Sequence, residues 1–508
     1  MADSPASRTR RISLLALFVV VALPYIGRAV ATADGAEVVS ESLGLFVQGG
    51  PGFGRMPPAD ASTPEVAPAH HSKYGLFPSL LPLPGLGAAW PVRRVIGAAG
   101  VDALTALTWS AGVLLAGLAF GWLVRVLKPG AMGPWEAAFV AGTFLWPYAG
   151  DSFVEPFAAA GLASGAALFL SGRSPSLAAA AWAGACLLKP ILWATTPALV
   201  LAIVLDARAL HAGGRALRAM GIFAAALCLH LAANRLLYGS FFEAGYGDEI
   251  LRFTTPIGTG LFGLLLSPGR GLLLYAPVVV AGVLGLKVAP RTAVWLCGGA
   301  PLLHLLVVAR WWSWEGGTAW GPRHLLPVLP LLVAPAALVA AGAVRAAFVA
   351  GTLVNLPGFL IAPGAWDGYA EALRPPAGVT WPVAGPVRVS TIPGLAPVLG
   401  HAWLAARNVA GIELNRPWLT GGVTEGGPPP DAAASVSPWW LRRVLGLPAV
   451  SPMIPRLLVR SAAGYLRRGE LQSALPWLRE AVRLSPADPD AARLLAWAEG
   501  RAGEPATR

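Results

Sequence analysis

The chain has 508 residues, of which 55% are hydrophobic and 13% charged, and its mean hydropathy is +0.60. Soluble domains carry about 25% charged residues, so this composition excludes an ordinary soluble protein and predicts an all-α polytopic membrane protein. The net charge of +12 comes from Lys and Arg at the ends of apolar segments, which argues against nucleic acid as a partner. The cysteines, Cys186, Cys228 and Cys297, lie within apolar segments and predict neither a disulfide framework nor a cysteine metal site.

Apolar runs follow one another over residues 1–361, the predicted transmembrane domain. A crossing helix takes about 20 residues. Eleven crossings are predicted, at 12–30, 102–126, 135–150, 153–171, 176–189, 191–206, 216–237, 271–287, 292–309, 323–342 and 345–361. A cleaved signal peptide is the alternative interpretation of the first run. The stretch 79–97 is broken by prolines, which predicts an interfacial segment.

The charges on the connecting segments give the direction of threading. With the N-terminus inside, the cytoplasmic segments hold twelve Lys and Arg residues and three Asp and Glu residues, in agreement with the positive-inside rule. The runs on either side of Lys189 and Pro190 are short for full crossings. If they formed one tilted helix, every later loop would change sides and the charge bias would be lost.

Two further regions follow residue 361. Residues 362–454 contain Pro and Gly clusters and are predicted to form a loosely structured periplasmic region with short helices. Residues 455–508 carry the pattern of one tetratricopeptide repeat of roughly 34 residues. The matching positions are Tyr465, Gly469, Ala474, Ala481 and Pro486. A single repeat cannot bury its own apolar face, so the last helix is expected to cap it, and a plain helical hairpin is the alternative.

Three predicted outer loops gather polar and aromatic residues, and this threading opens all three on the same side. In the first loop, Asp34 and Glu37 would share one face of a helix. Asp34 suits a general base or a metal-binding carboxylate, and a helix-capping start is the structural alternative. Lys73, which precedes an apolar proline-rich stretch, suits a phosphate at headgroup level, or a solvated interfacial anchor.

The second and third loops supply the other candidates. Glu243 and Tyr246 in the second loop suit sugar hydroxyls, although such residues also suit a solvated loop. The third loop holds four tryptophans within ten residues, more than an ordinary aromatic belt explains. Arg323 then enters the next span, where a charge needs an anionic partner such as phosphate. Snorkelling of the side chain to the interface is the alternative.

These segments together resemble the bacterial polyprenyl-phosphate-sugar-dependent glycosyltransferases of the GT-C superfamily, which are related to protein O-mannosyltransferases and lipid A aminoarabinose transferases. The resemblance covers roughly residues 12–361. The stretches that carry it are the acidic loop after the first span, KYGLFPSLLPLP, DSFVEPFAA, FFEAGYG with FTTPIGTGLFGLLLSPGRGLLLYAP, and WWSWEGGTAWGPRHLLPVLP.

The resemblance implies an inverting sugar transfer from a polyprenyl phosphate to a hydroxyl of a glycan, lipid or protein, outside a bacterial cytoplasmic membrane. It implies Asp34 as the base, with Lys73 and Arg323 as phosphate contacts. The implied sugar or acceptor contacts are Glu37, Glu243, Tyr246, Trp314 and Glu315. The family commonly has two adjacent acids, whereas Gly35 follows Asp34. This departure favours a single base without a cofactor, with a divalent metal ion as the alternative.

Two functions of other classes stay open. A transporter or flippase of lipid-linked sugars would need polar groups through the membrane, and the predicted spans hold few. They are Lys189, His230, Asn234 and His304. A non-catalytic scaffold would act through the C-terminal tail, which is expected to recruit the acceptor or a partner protein.

Overall fold

The computed structural model describes residues 14–19, 33–54, 71–210, 213–243, 245–362, 364–372, 390–412, 414, 436, 439–447 and 452–502. This part of the chain is all-helical, as predicted, with one isolated β-bridge between Ile361 and Val436. Residues 14–19 are helical, and the rest of the predicted span 12–30 lies outside the described residues.

The helices follow the apolar runs of the sequence. The α-helices are α1 Ala33–Val47, α2 Leu76–Leu80, α3 Leu83–Ala89, α4 Arg93–Leu127, α5 Trp135–Ala141, α6 Glu155–Leu170, α7 Pro175–Leu188, α8 Thr196–Leu210, α9 Gly213–Tyr238, α10 Ile257–Leu265, α11 Leu272–Tyr275, α12 Val278–Leu286, α13 Arg291–Val294, α14 Ala300–Arg310, α15 Leu329–Val333, α16 Ala341–Leu360, α17 Gly364–Ala372, α18 Pro397–Ala410, α19 Trp439–Val444, α20 Met453–Arg467, α21 Leu471–Leu484 and α22 Pro489–Ala502. The 3₁₀ turns are Trp90–Val92, Trp146–Gly150, Pro190–Thr195, Gly247–Leu251, Arg323–Val328, Ala334–Leu338 and Pro393–Leu395, and a π-helical turn, Trp295–Gly299, joins α13 to α14.

Four helical stretches in the described residues are long and apolar enough to cross a membrane. They are Leu76–Leu127, Ala216–Tyr238, Arg291–Arg310 and Ala341–Leu360. Shorter apolar helices occupy Glu155–Leu170, Pro175–Leu188, Pro190–Asp206 and Arg323–Leu338. The chain therefore has several helices suited to a membrane, and the number of eleven crossings stays a prediction.

Two predicted spans are interrupted rather than continuous. The run 135–150 divides into α5 and the turn Trp146–Gly150, and the run 271–287 divides into α11 and α12. Pro147 and Pro277 lie at these breaks, where proline has no N–H to donate to the preceding turn. The stretch 79–97, predicted to be interfacial, is formed by short helical turns that lead into α4.

The main apolar core lies where α4 packs along α6 and α6 packs along α7. Small residues allow this close approach. A Cβ added at Gly161 of α6 would lie 2.9 Å from the carbonyl oxygen of Ala181, and one at Gly165 would lie 3.0 Å from that of Ala178. Close packing at glycine and alanine is how helices associate in a bilayer. This packing places the start of α6 next to the end of α7.

The C-terminal helices α20 and α21 pack on α1 and on the start of α4, α22 packs on α21, and together they form a second apolar core. The helical tail that the sequence predicts from 455 therefore begins at Met453; its tetratricopeptide character stays a prediction. In the region 362–454, the described helices α17, α18 and α19 share a third, smaller core.

Candidate functional site

A cavity of about 680 Å³ draws its walls from all three predicted outer loops. Four of the candidate residues line it: Asp34, Lys73, Tyr246 and Arg323. They come from the first turn of α1, the segment before α2, the segment before the turn Gly247–Leu251, and the start of the turn Arg323–Val328. The structure therefore joins residues that are up to 289 positions apart in the sequence.

Asp34 and Arg323, which both line this cavity, are hydrogen-bonded to each other. The Arg323 guanidinium donates from Nη1 to Oδ2 of Asp34 over 2.7 Å, and it lies 4.7 Å from the ring centre of Phe153. Burial alone would raise the pKa of the Asp34 carboxyl, but Arg323 and the Tyr74 hydroxyl together hold that pKa below its ordinary value of 3.8. Asp34 is therefore a carboxylate at neutral pH, and a weak base as long as Arg323 is bound to it.

Glu155 and Lys189 also line the cavity, although neither was predicted to contact donor or acceptor. Glu155 starts α6 and is 2% exposed, and its Oε1 accepts from the Lys189 ammonium, which follows α7. Arg323 Nε lies 3.5 Å from the same Glu155 oxygen. The available signal was the position of Lys189 between two apolar runs, since an ionisable residue there is by default a functional candidate.

Lys73 is held at the cavity by two tyrosine rings and a carboxylate. Its Nζ lies 5.4 Å from the ring centre of Tyr74, 5.5 Å from that of Tyr246 and 4.0 Å from Oε2 of Glu249, within the range of cation–π contacts. Burial raises the pKa of the Tyr74 and Tyr246 hydroxyls well above 10. Both hydroxyls therefore stay protonated and can donate hydrogen bonds.

Two carboxylates of helix α1 hold the backbone of the segment that carries Lys73. The backbone N–H of Lys73 donates to Oε2 of Glu37 over 3.3 Å, and that of Ser72 donates to Oε2 of Glu41 over 2.9 Å. His71 Nδ1 lies 2.9 Å from the other Glu41 oxygen. Glu37, expected to contact sugar or acceptor, does not line the cavity; in this structure it holds the segment that carries Lys73.

The residue after Asp34 has no space for a side chain. A Cβ added at Gly35 would lie 1.7 Å from Oγ and 2.6 Å from the carbonyl oxygen of Ser152. The adjacent acid of the glycosyltransferase pattern cannot be accommodated at this position. The other carboxylates of the cavity come instead from Glu155, three residues after Ser152, and from Glu249.

Three other candidates also lie outside the cavity lining. Glu243 Oε1 accepts from the backbone N–H of Gly247 over 3.1 Å and closes its own loop. Trp314 is buried against Gly263, where an added Cβ would meet its ring at 2.1 Å. Glu315 is buried, and burial raises the pKa of its carboxyl above 4.5.

Much of the remaining cavity wall is apolar. It includes Leu188, Ile191, Trp193, Val307, Trp311 and Trp312. Leu251 and Phe253 line it as well and are 79% and 37% exposed, so the apolar wall continues onto the outer surface. The cavity thus combines a cluster of charged side chains with an apolar wall that continues onto exposed residues.

The charged side chains of the cavity are a poor fit for a divalent metal ion. Asp34, Glu155 and Glu249 each form an ion pair with a cation of the cavity, and Lys73, Lys189 and Arg323 would repel another one. Over the described residues, no group of three His, Cys, Asp or Glu side chains is arranged to hold a metal.

Comparison with known proteins identifies no relative from which a role could be transferred. The chain matches no protein-family model, no curated protein and no solved structure. The function is therefore argued from the cavity and its residues.

Proposed function

We propose that the protein is an integral-membrane glycosyltransferase of the GT-C type. It transfers a sugar, with inversion, from a polyprenyl-phosphate donor to an acceptor hydroxyl on the outer face of a bacterial cytoplasmic membrane. The observation that carries this proposal is the cavity itself, whose wall holds three carboxylates (Asp34, Glu155 and Glu249) and three cations (Lys73, Lys189 and Arg323), together with the exposed apolar side chains of Leu251 and Phe253.

The donor would lie along this cavity with its phosphate at the charged side chains. Charge-assisted hydrogen bonds from Lys and Arg are the strong contacts to phosphate, and Lys73, Lys189 and Arg323 supply them. The isoprenoid chain would leave past Leu251 and Phe253, which face outward from the same cavity. A soluble nucleotide sugar has no hydrocarbon chain that would contact these exposed apolar residues.

Asp34 would act as the base. It takes the proton of the acceptor hydroxyl while that oxygen bonds to the anomeric carbon, and the bond from this carbon to the phosphate oxygen breaks. The phosphate leaves with the electron pair, and Lys73, Lys189 and Arg323 stabilise the growing negative charge. Since Arg323 is shared with Asp34, a phosphate that draws the guanidinium toward itself also restores basicity to Asp34.

The eleven-span threading agrees with this arrangement. It places all three loops outside, and residues of all three loops line the same cavity. The tail after residue 453 then lies on the outer side, where its helices pack on α1.

Transfer is tested with the purified protein in liposomes, radiolabelled polyprenyl-phosphate-sugars and a crude acceptor extract. We expect Asp34→Asn to lower transfer by roughly 10²-fold to 10⁴-fold and to retain donor binding. Glu243→Gln, which alters a carboxylate outside the cavity, is the matched control and should transfer normally. Equal transfer by wild type and Asp34→Asn would remove Asp34 from the chemistry. Donor translocation without transfer would instead favour a flippase.

A further inference from the structure

The C-terminal helices bind the end of α1 that points away from the cavity. Gln48, directly after α1, accepts hydrogen bonds on Oε1 from the Tyr465 hydroxyl and from Trp477 Nε1, both over 3.2 Å. Tyr465 and Trp477 are 3% and 0% exposed. Val39 and Leu43 of α1 belong to the same apolar core as these aromatic residues.

The segment after α1 is pressed between α1 and α20. A Cβ added at Gly54 would lie 1.8 Å from the carbonyl oxygen of Ser461 and 2.6 Å from the ring of Tyr465. A Cβ added at Gly44 of α1 would lie 2.2 Å from the carbonyl oxygen of Gly52. Neither contact leaves room for a layer of water or for a partner chain.

The same C-terminal helices are anchored separately on α4. Asp102, which is buried in α4, accepts from the backbone N–H groups of Met453 and Ile454, the latter over 2.8 Å. These N–H groups have no partner within their own helix, so Asp102 caps α20 from another element. Arg93 Nε donates to Oε1 of Glu480 over 2.5 Å. The tail therefore connects α4 with α1.

At its other end, α1 carries the chemistry of the cavity. Asp34 is in the first turn, and Glu37 and Glu41 hold the segment of Lys73. The helix has 15 residues and, at about 1.5 Å per residue, spans about 21 Å between Asp34 and Gln48. Because a helix of this length moves as one rod, a tilt at Gln48 displaces Asp34.

We propose that α20 and α21 position α1 and, through it, Asp34 and Lys73, so that Gly54 and Trp477 are positioning residues of the site. This inference rests on the proposed function for its effect on transfer. It also assigns the face of the tail that packs on α1 to an intramolecular contact rather than to recruitment of a protein partner.

The packing of α20 and α21 against α1 can be disturbed by adding or removing a small group. Gly54→Ala inserts a methyl group between the segment after α1 and α20, whereas Gly50→Ala adds the same group where no heavy atom lies within 4 Å. Trp477→Phe keeps an aromatic ring and removes the donor to Gln48. All variants are made in the full chain. Two quantities are measured, namely amide hydrogen exchange of the peptide covering 33–47 and kcat for sugar transfer, each with and without Asp34→Glu.

We expect Gly54→Ala and Trp477→Phe to accelerate exchange in 33–47 by about threefold or more, with Gly50→Ala at the wild-type rate. We expect kcat to fall by about tenfold in Gly54→Ala, since a misplacement of the base of about 1 Å is costly. The factor by which Asp34→Glu changes kcat should differ between the Gly54→Ala and wild-type backgrounds, because the longer side chain reaches differently from a displaced helix.

An unchanged exchange rate of 33–47 in Gly54→Ala would overturn the inference. The inference would also be overturned if Asp34→Glu lowered kcat by the same factor in the wild-type and Gly54→Ala backgrounds. Such independence would mean that Gly54→Ala lowers kcat through a general structural defect and not through the position of Asp34. If wild type transfers no sugar from any donor, the proposed function fails, and the exchange rates alone decide whether the tail positions α1.

Discussion

At the scale of single residues, Gly35 shows how closely α1 fits its surroundings. We expect Gly35→Ala to lower the free energy of unfolding by about 1–3 kcal/mol, because the methyl group must displace Ser152. The matched control is Gly184→Ala in α7, where no heavy atom lies within 4 Å of the added Cβ. That variant should be neutral or gain roughly 0.5–1 kcal/mol. Thermal unfolding in detergent measures both, and an unchanged Gly35→Ala midpoint would contradict the packing.

Glu315 gives a prediction about pH. Burial raises the pKa of its carboxyl above the unfolded value of 4.5, and its Oε2 has no hydrogen-bond partner among the described residues. A carboxyl with a raised folded pKa favours the folded state fully below pH 4.5 and loses this contribution as the pH rises through the folded pKa. Glu315→Gln, which never ionises, should therefore unfold at a higher temperature than wild type at pH 7.

The advantage of Glu315→Gln should disappear below pH 4.5. Sugar transfer should be unchanged, because Glu315 does not line the cavity. A variant that is less stable than wild type at pH 7, or one that loses transfer, would assign Glu315 a partner or a role that the structure does not show.

At the scale of helices, the Glu155 and Lys189 pair joins the start of α6 to the end of α7. A buried charge left with no partner costs about 3–5 kcal/mol, but Arg323 Nε also lies 3.5 Å from the Glu155 oxygen. We therefore expect Lys189→Met to lower stability by less than that amount, and the double variant Glu155→Gln, Lys189→Met to recover part of the loss. Arg493→Met breaks an exposed pair on α22, with side chains 75% and 68% exposed, and should change the midpoint little.

The helices were predictable from the sequence, whereas their breaks and the contacts between distant helices were not. Composition and the length of the apolar runs predicted the helical class, because they depend on local residues. The interruptions at Pro147 and Pro277 were not predicted, because proline within an apolar run is compatible with both a kink and a break. Asp34 and Arg323 were predicted to share a site but not to bond each other, since their contact depends on how distant helices pack.

Side-chain direction explains the candidates that lie outside the cavity. Glu37 is one turn along α1 from Asp34, yet its carboxylate accepts from Lys73 N–H. Trp314 is in the same loop as Trp311 and Trp312, yet its ring packs on Gly263. Loop composition indicates which segment approaches a site, and only tertiary packing decides which of its side chains face inward.

At the scale of the whole molecule, the threading makes a prediction about sidedness. Met132 lies in a segment expected to be cytoplasmic, and Arg493 lies on the tail, expected to be periplasmic; both are exposed. In a background without native cysteines, a membrane-impermeant maleimide should label Arg493→Cys in right-side-out vesicles and Met132→Cys only after permeabilisation. Labelling of both from the same side would mean an even number of crossings between them and would contradict the nine predicted here.

The hydrogen bonds that the segment of Lys73 donates to Glu37 and Glu41 join two parts of the cavity wall. Asp34 and the Lys73 segment are connected through α1, and Lys73 also contacts Tyr246 and Glu249 of the second loop. Arg323 belongs instead to the turn Arg323–Val328, beside the packed ends of α6 and α7. A ligand that bridged Lys73 and Arg323 would therefore connect α1 and the second loop to the packed helices on the other wall of the cavity.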